Sequence, residues 1–339
     1  MSAEFLPDAA STTAHLGAGA PLWRPKVAAV MCTIVGPRHA YARSTVAAEI
    51  VACVQSMLAN DYAPLEVLVV DQSATDVVAH ALRPLQQADA RLRYLHSEQA
   101  GKSRALNLAV NASDADLFVF TDDDCLVASD WVSQAVEVFR RHPDAGVVFG
   151  DVRPPAGLDW RTNFVPMLPI SAEQRLQNRF LPRSNNLLGA NMAVRRATFE
   201  RIGLFDEALG PGARIQANEE VDLQLRALRA RPMIDVYLTP EMHVIHEHGQ
   251  RPQGEPTQRL LRTYHSGRAA MLLKHAGHGD LGAACRLGLL ALEPFADAVT
   301  HLVRSGRPRG LGMLAPFARG IRGGLALATP RYQAPRLVH

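Results

Sequence analysis

The chain has 339 residues, 47% hydrophobic and 20% charged, enough apolar side chain to bury one large domain with an appendage and too much for general disorder. A formal net charge of +3 is too small to mark a nucleic-acid binder, which concentrates a stronger basic field on one face. Cys32, Cys53, Cys125 and Cys285 form no C-x-x-C pair, which argues against a zinc site or a disulfide framework and implies reduced thiols.

Residues 1–25 lack the basic cluster and apolar run of a secretory signal and read as a flexible leader. No window is long and apolar enough for a membrane-spanning helix, so the expected setting is cytoplasmic, free or peripheral on the cytoplasmic face of a membrane. KVAAVMCTIVG (26–36) reads as a buried strand ended by a turn at Gly36 and Pro37, and a helical pattern follows over 43–59. LEVLVVDQS is a second apolar strand ending in Asp71, RLRYLHSE (91–98) alternates as a strand, and SRALNLAVNAS is a helix. DLFVFTDDD is the next strand, and Ser129 and Asp130 are N-cap candidates for a helix over 129–142. VVFGDV closes this half. Apolar strands alternating with helices predict an α/β fold with a mostly parallel central sheet covered on both faces.

From 151 to 190 the sequence is Pro-rich and irregular. A short strand and helix follow over 191–207, a clear helix over 218–231, and two strand-like runs over 233–249. After His265 the chain is helical to about 328, with breaks expected at Pro294, Pro308 and Pro316.

The chemistry concentrates in FVFTDDDCLV (118–127), where an apolar strand runs into Asp122, Asp123 and Asp124. Three adjacent like charges need a positive partner. In open α/β sheets ligands collect beyond the carboxyl ends of the strands, where Asp71 also lies. Strand alternation would let Asp122 and Asp124 share one target while Asp123 turns away. A divalent cation, Mg²⁺ or Mn²⁺, is the natural target for hard oxygen ligands, with a diphosphate completing the shell.

These residues, with VVDQSATD (69–76), AGKSRALNLAV (100–110), GANMAVRRATFERIGLFDE (189–207) and NEEVDLQLR (218–226), resemble the inverting family-2 glycosyltransferases of GT-A fold. The resemblance covers roughly residues 26–250. It implies a Rossmann-like catalytic domain, with a nucleotide-binding half over 26–150 and an acceptor half over 151–250, followed by a helical extension over 251–339. By the same resemblance Asp71 contacts the base, although Gln72 stands where Asn or Asp is usual. Gly101, Arg104 and Asn107 line the nucleotide and diphosphate, together with Asp122 and Asp123. Asp124 is the firmer metal ligand; Asp122 either shares the ion or touches the ribose or sugar. Gly189 and Asn191 lie by the donor sugar or acceptor.

Glu220 takes the position of the family's catalytic Asp, the base that removes the acceptor proton, with Glu219 and Asp222 as alternates near the acceptor or donor sugar. Chemically, a base in a single displacement must reach the attacking hydroxyl opposite the leaving diphosphate. The helix dipole alone would favour carboxylates in that first turn. Arg104 is preferred over Lys102 for phosphate because its fork binds two oxygens. In HVIHEHG (243–249), His246 or His248 is a candidate further metal ligand. The resemblance implies a nucleotide-diphosphate sugar donor, UDP-linked by preference, and a cell-surface glycan or lipid-linked acceptor.

Residues 298–339 contain seven arginines and no acid, alternating with Leu302, Val303, Leu311, Met313, Leu314, Phe317, Ile321 and Leu325. This pattern fits short helices attracted to an anionic membrane surface, or helices packed on the catalytic domain with solvated arginines. Two other functions compete. A nucleotidyltransferase is disfavoured because VGPRHAYAR lacks a Gly-rich basic first turn, and a non-catalytic sugar-nucleotide-binding or assembly subunit stays open through Gln72 and Glu220.

Overall fold

The computed structural model describes residues 23–36, 45–176, 187–305, 310–329 and 335–337; most of the expected leader, and Pro37 and Pro308, lie outside them. The first half alternates as the sequence predicts. Strands β1 (Val27–Thr33), β2 (Leu65–Asp71), β3 (Leu92–His96) and β4 (Leu117–Asp122) enclose helices α1 (Val46–Leu58), α2 (Val77–Ala88) and α3 (Lys102–Asn111). All seven residues of β2 are buried, as required of a strand covered on both faces. Helix α2 fully buries only Val78 and Leu82, one turn apart on its inner face. A two-residue β5 (Leu126–Val127) then leads into α4 (Trp131–Arg141), whose Trp131, Val132, Ala135, Val136, Val138 and Phe139 form its core stripe.

The chain continues through β6 (Ala145–Arg153), β7 (Asn163–Phe164), β8 (Gln174–Leu176), β9 (Asn191–Arg195), α5 (Arg196–Ile202), α6 (Glu219–Arg229), β10 (Asp235–Ile245) and β11 (Arg251–Pro252). The main sheet runs β3-β2-β1-β4-β9-β6-β10-β5, with β8 also on β10. β1, β2, β3 and β4 are mutually parallel, and β9 is antiparallel to both β4 and β6. The two strand-like runs expected over 233–249 are one strand, β10, with an irregularity between Thr239 and His243. Strand order reverses at β1, with β2 on one side and β4 on the other, so β1 and β4 form a switch point whose carboxyl ends open a crevice. Register places Cys32 opposite Asp122, so Thr33 ends level with the aspartates.

Behind them Phe118 and Phe120 of β4 pack edge-on against Phe199, and Phe120 also against Phe205, with centroids 5.5–6.4 Å apart. This buried cluster fixes the strand that carries the charges.

The C-terminal part forms α7 (Glu255–Gly277), α8 (Leu281–Ser305), a 3₁₀ turn at Leu311–Met313 and α9 (Leu314–Gly324). Two expected breaks are absent: α8 runs through Pro294, and Pro316 sits in the first turn of α9, where a missing N–H breaks no helical bond. Ala269, Ala270, Met271 and Leu272 of α7 belong to the same hydrophobic cluster as the sheet. No helix among the described residues is long and apolar enough to cross a membrane.

Candidate functional site

The three aspartates have three different partners. β4 ends at Asp122, and Asp123 and Asp124 enter a turn closed by Cys125 N–H donating to Asp122 O at 3.2 Å. The expected pairing of Asp122 with Asp124 by strand alternation therefore stops one residue too early. Lys102 Nζ bonds Asp122 Oδ1 and lies 3.7 Å from Glu219 Oε1. Thr33 Oγ1 donates to Asp123 Oδ2 at 2.5 Å. Even so, burial and the neighbouring Asp124 push the Asp123 carboxyl up to about 7.

Asp124 Oδ1 lies 3.1 Å from His246 Nε2. Burial opposes its ionisation, but His246 outweighs burial and holds the carboxyl well below the usual range. Conversely, burial disfavours the imidazolium and Asp124 restores it, leaving His246 raised. His246 Nδ1 donates to Pro166 O at 2.8 Å, so Nε2 is the nitrogen aimed at Asp124. A carboxylate and an oriented imidazole this close fit a divalent cation, and the second nitrogen's carbonyl partner is the usual support for a ligating histidine. Cys125 Sγ completes the group of potential ligands, 3.7 Å from Asp124 Oδ1. Burial pushes its thiol well above the ordinary range, so it stays protonated and leaves the ion to the hard donors. Of the two candidate histidines, His246 faces Asp124 with its ring; His248 N–H holds Asp124 O at 2.9 Å. Gly249 is required by close approach: a Cβ there would stand 2.1 Å from His246 Nε2.

Asp71 ends β2 fully buried, accepting from Ser73 N–H at 2.8 Å and Tyr94 O–H at 2.7 Å. Gln72, the unusual residue, donates through Nε2 to Gln99 O and Gly101 O, tying this strand end to the loop before α3. Gly101 takes φ +134°, open chiefly to glycine, and turns the chain into α3. Arg104 points away from the aspartates, bonding Gln99 Oε1 and reaching Glu207 at 3.4 Å. The cation among the acidic side chains is Lys102, because the residue two earlier in the helix faces the crevice.

Asn107 brackets a loop: its amide donates to Phe205 O at 3.0 Å and accepts from Phe205 N–H at 2.9 Å. Asn191 is fully buried, accepting from Trp131 Nε1–H at 2.8 Å and donating to Asp151 O and Met242 O, each at 2.9 Å. These bonds turn both asparagines toward the interior, not the crevice.

The acidic turn starts α6. Asn218, its N-cap, adopts φ +70°, a strained position for a non-glycine residue. Burial and neighbouring Glu219 hold the Glu220 carboxyl well above its ordinary value. A methyl group added at Gly189 would lie 3.6 Å from Lys102 Nζ and 3.7 Å from Glu220 Cβ, so Gly189 shares this pocket. Asp222 differs. It is fully buried and bonded by Lys274 Nζ at 2.6 Å, Arg226 Nε at 2.8 Å and His275 Nε2 at 2.9 Å. Despite burial, the Lys274 and Arg226 charges and the His275 hydrogen bond hold its carboxyl well below the usual range, which anchors α6 and leaves no oxygen for an acceptor. Lys274 also holds buried Asp206 at 2.7 Å.

Sequence patterns gave no warning that α7 reaches the site. Its Tyr264 O accepts from Asn218 Nδ2 at 3.4 Å, and the Tyr264 phenol is pushed up to about 12 mainly by burial. Lys274 and His275, both more than five turns into an ordinary-looking helix, had no motif to mark them. Thr33 was findable, as the polar end of the strand beside the switch point.

A mostly parallel sheet with the antiparallel strand β9 between β4 and β6, and an acidic cluster at its switch point, defines the GT-A glycosyltransferase fold. Residues 40–203, just under half of the chain, match the model of Glycosyl transferase family 2, which with the fold supports a family-2 GT-A glycosyltransferase. It is 24% identical over 191 residues to the glucosyl-dolichyl phosphate glucuronosyltransferase of Haloferax volcanii, covering 55% of this chain and 57% of that protein. An N-acetylglucosaminyltransferase of Azorhizobium caulinodans is 30% identical over 135 residues, covering 38% of this chain and 34% of the relative. The chain thus spans little more than half the length of the first of these relatives. Among solved structures, mannosyltransferase PcManGT from Pyrobaculum calidifontis, in complex with GDP-Man and Mn²⁺, superposes with TM-score 0.54 at 19% identity over 91% of this chain and 86% of that one. S. aureus TarS gives 0.50 at 13% identity over 89% and 90%. At these identities the likeness is one of fold.

Proposed function

We propose that the protein is a divalent-metal-dependent, inverting glycosyltransferase that moves a sugar from a nucleotide-diphosphate sugar to a hydroxyl of a cell-surface glycan or its lipid-linked precursor. The observation that carries this reading is the crevice in which Lys102 stands between Asp122 of the metal-side cluster and Glu219 of the base-side turn. Asp124 and His246 would hold the ion, which when bound neutralises charge on the leaving diphosphate as a Lewis acid. Asp71 and the loop at Gly101 hold the nucleoside, the loop being fixed from Gln72. Lys102 supplies fixed positive charge beside the diphosphate.

Glu220 takes the proton of the attacking hydroxyl. Its burial beside Glu219 raises its basicity above that of an ordinary carboxylate, which suits proton removal near neutral pH. Glu219, facing Lys102, maintains that shift. Arg104, beside Glu207, is a weaker candidate for the diphosphate than its helix neighbour.

UDP-sugars are the first donors to test, with GDP-mannose beside them because the structurally similar mannosyltransferase holds it. Purified protein incubated with each donor and Mn²⁺ or Mg²⁺ should release nucleoside diphosphate slowly without acceptor and faster with one. Metal-dependent thermal stabilisation by a nucleotide with no turnover of any donor would instead establish the non-catalytic binding subunit.

A further inference from the structure

Helix α8 packs on the protein through one narrow side. Ala283, Arg286, Leu290, Pro294 and Ala298 are buried, a spacing of three to four residues that keeps them on one face. The opposite face carries Leu281, Leu292, Phe295, Val299, Leu302 and Val303, each 50–81% exposed. At 3.6 residues per turn these positions form one stripe along a helix about 37 Å long. No charged side chain interrupts it. Glu293, Asp297 and Arg304 stand on one flank, and the exposed Thr300 hydroxyl donates to Ala296 O at 2.8 Å. A continuous apolar face of this length on a water-facing helix marks an interaction surface.

We propose that this stripe lies in the interface of a membrane carrying anionic lipid, with the helix parallel to the surface. Protein partners normally meet a mixed surface, with about one hydrogen bond per 100–200 Å² and a polar rim, whereas this face offers none along its centre. Charge complementarity favours lipid. Beyond Asp297 the sequence contains no acid; Arg304 is exposed at the C-terminal end of α8, and Arg319 and Arg322 are exposed on α9, which packs against α8. An apolar helix face with arginines at its end and on the adjoining helix fits a helix lying in the bilayer interface, and none of the described helices can cross instead. The surface thus begins seventeen residues before the Arg-rich segment. Within that segment, Phe317 and Ile321 of α9 pack against the core. This inference does not depend on sugar transfer.

The chain carries its own reporter. Cys285 lies on the stripe one turn after Leu281 and is the exposed thiol among the four cysteines. The full chain labelled there with an environment-sensitive fluorophore is mixed with vesicles of phosphatidylcholine alone or of equal parts phosphatidylcholine and phosphatidylglycerol. Blue-shifted emission on the anionic vesicles, quenched by acyl-chain spin-labelled lipid, is expected. Leu292→Glu with Val299→Glu should weaken cosedimentation about a hundredfold, taking roughly tenfold per lost apolar anchor. Arg319→Gln with Arg322→Gln should weaken it on anionic vesicles only. Circular dichroism of each variant verifies folding. Three results would overturn the proposal: unquenched label, undiminished sedimentation of the glutamate variant, or a lipid-free dimer that this variant converts to monomers while wild type ignores vesicles.

Discussion

Replacing Lys274 by Met removes one ammonium from between two fully buried carboxylates, Asp206 at 2.7 Å and Asp222 at 2.6 Å. Removing one partner of a buried pair costs about 3–5 kcal/mol, and the remaining Arg226 and His275 contacts serve only Asp222, so the upper end is expected near neutral pH. The pH dependence has a definite sign. The folded Asp222 carboxyl of the wild type is depressed, so its stabilisation is present above the unfolded value of about 3.9 and is lost as pH falls through the lower folded value. Without Lys274 the buried Asp222 carboxyl protonates more readily when folded, so the deficit of the variant should shrink between about pH 7 and pH 4.5. Urea unfolding at both pH values measures this. A deficit below about 1 kcal/mol, or one equal at the two pH values, would refute the reasoning. Adding Asp206→Asn to Lys274→Met should recover part of the loss, because Asp222 keeps Arg226 and His275 and no second carboxylate then loses its cation.

Glu220→Gln should lower kcat about 10²–10⁴-fold with KM little changed, as removal of a general base does; a change confined to KM would reassign the residue to binding. Because the Glu220 carboxyl is raised, the acid limb of the wild-type kcat profile should lie above the ordinary value of 4.5, and a limb at or below that value would contradict its role as base. Gly249→Ala drives a methyl group to within 2.1 Å of His246 Nε2 and should weaken Mn²⁺ binding as His246→Ala does, about 10–100-fold by calorimetry, whereas a purely structural glycine would leave Mn²⁺ affinity unchanged. Asp124→Asn should reduce Mn²⁺ affinity more than Asp122→Asn, since Asp124 faces His246 while Asp122 faces Lys102; equal losses would show that both aspartates hold the ion.

Most of the first half, residues 26–150, was legible because it obeys local rules: buried runs such as VAAVMCT and LEVLVVD have no alternative to a two-sided sheet, and β4 announces its own end by running into charge. What was not legible depends on contacts between distant segments. That Asn191 faces Trp131 and Asp222 faces Lys274 follows from which side of each element meets another, 52–60 residues away along the chain. The preference for Arg104 over Lys102 rested on the chemistry of phosphate binding, which is sound, but the helix phase set by Ala105, Leu106 and Ala109 in the core decides which cation faces the crevice. Strand alternation failed at Asp123 because it holds only while the backbone stays extended.

The C-terminal helices are less an appendage than the back wall of the acidic turn that starts α6. Asn218 is held in a left-handed conformation at the start of α6, and such strain persists only where surrounding structure over-determines it. Here the surroundings are α7: Tyr264 receives the Asn218 side chain, Gly267 leaves no room for a methyl group against Ala217, and Lys274 with His275 clamps Asp222 one turn further on. Glu219 and Glu220 sit between these fixed points, so their direction toward Lys102 is set by contacts more than 40 residues later in the chain. The three aspartates that open the site are positioned by the sheet; the carboxylates that face them are positioned by α7. A substitution in α7 that left the sheet intact would therefore act on Glu219 and Glu220 before it acted on Asp124 and His246.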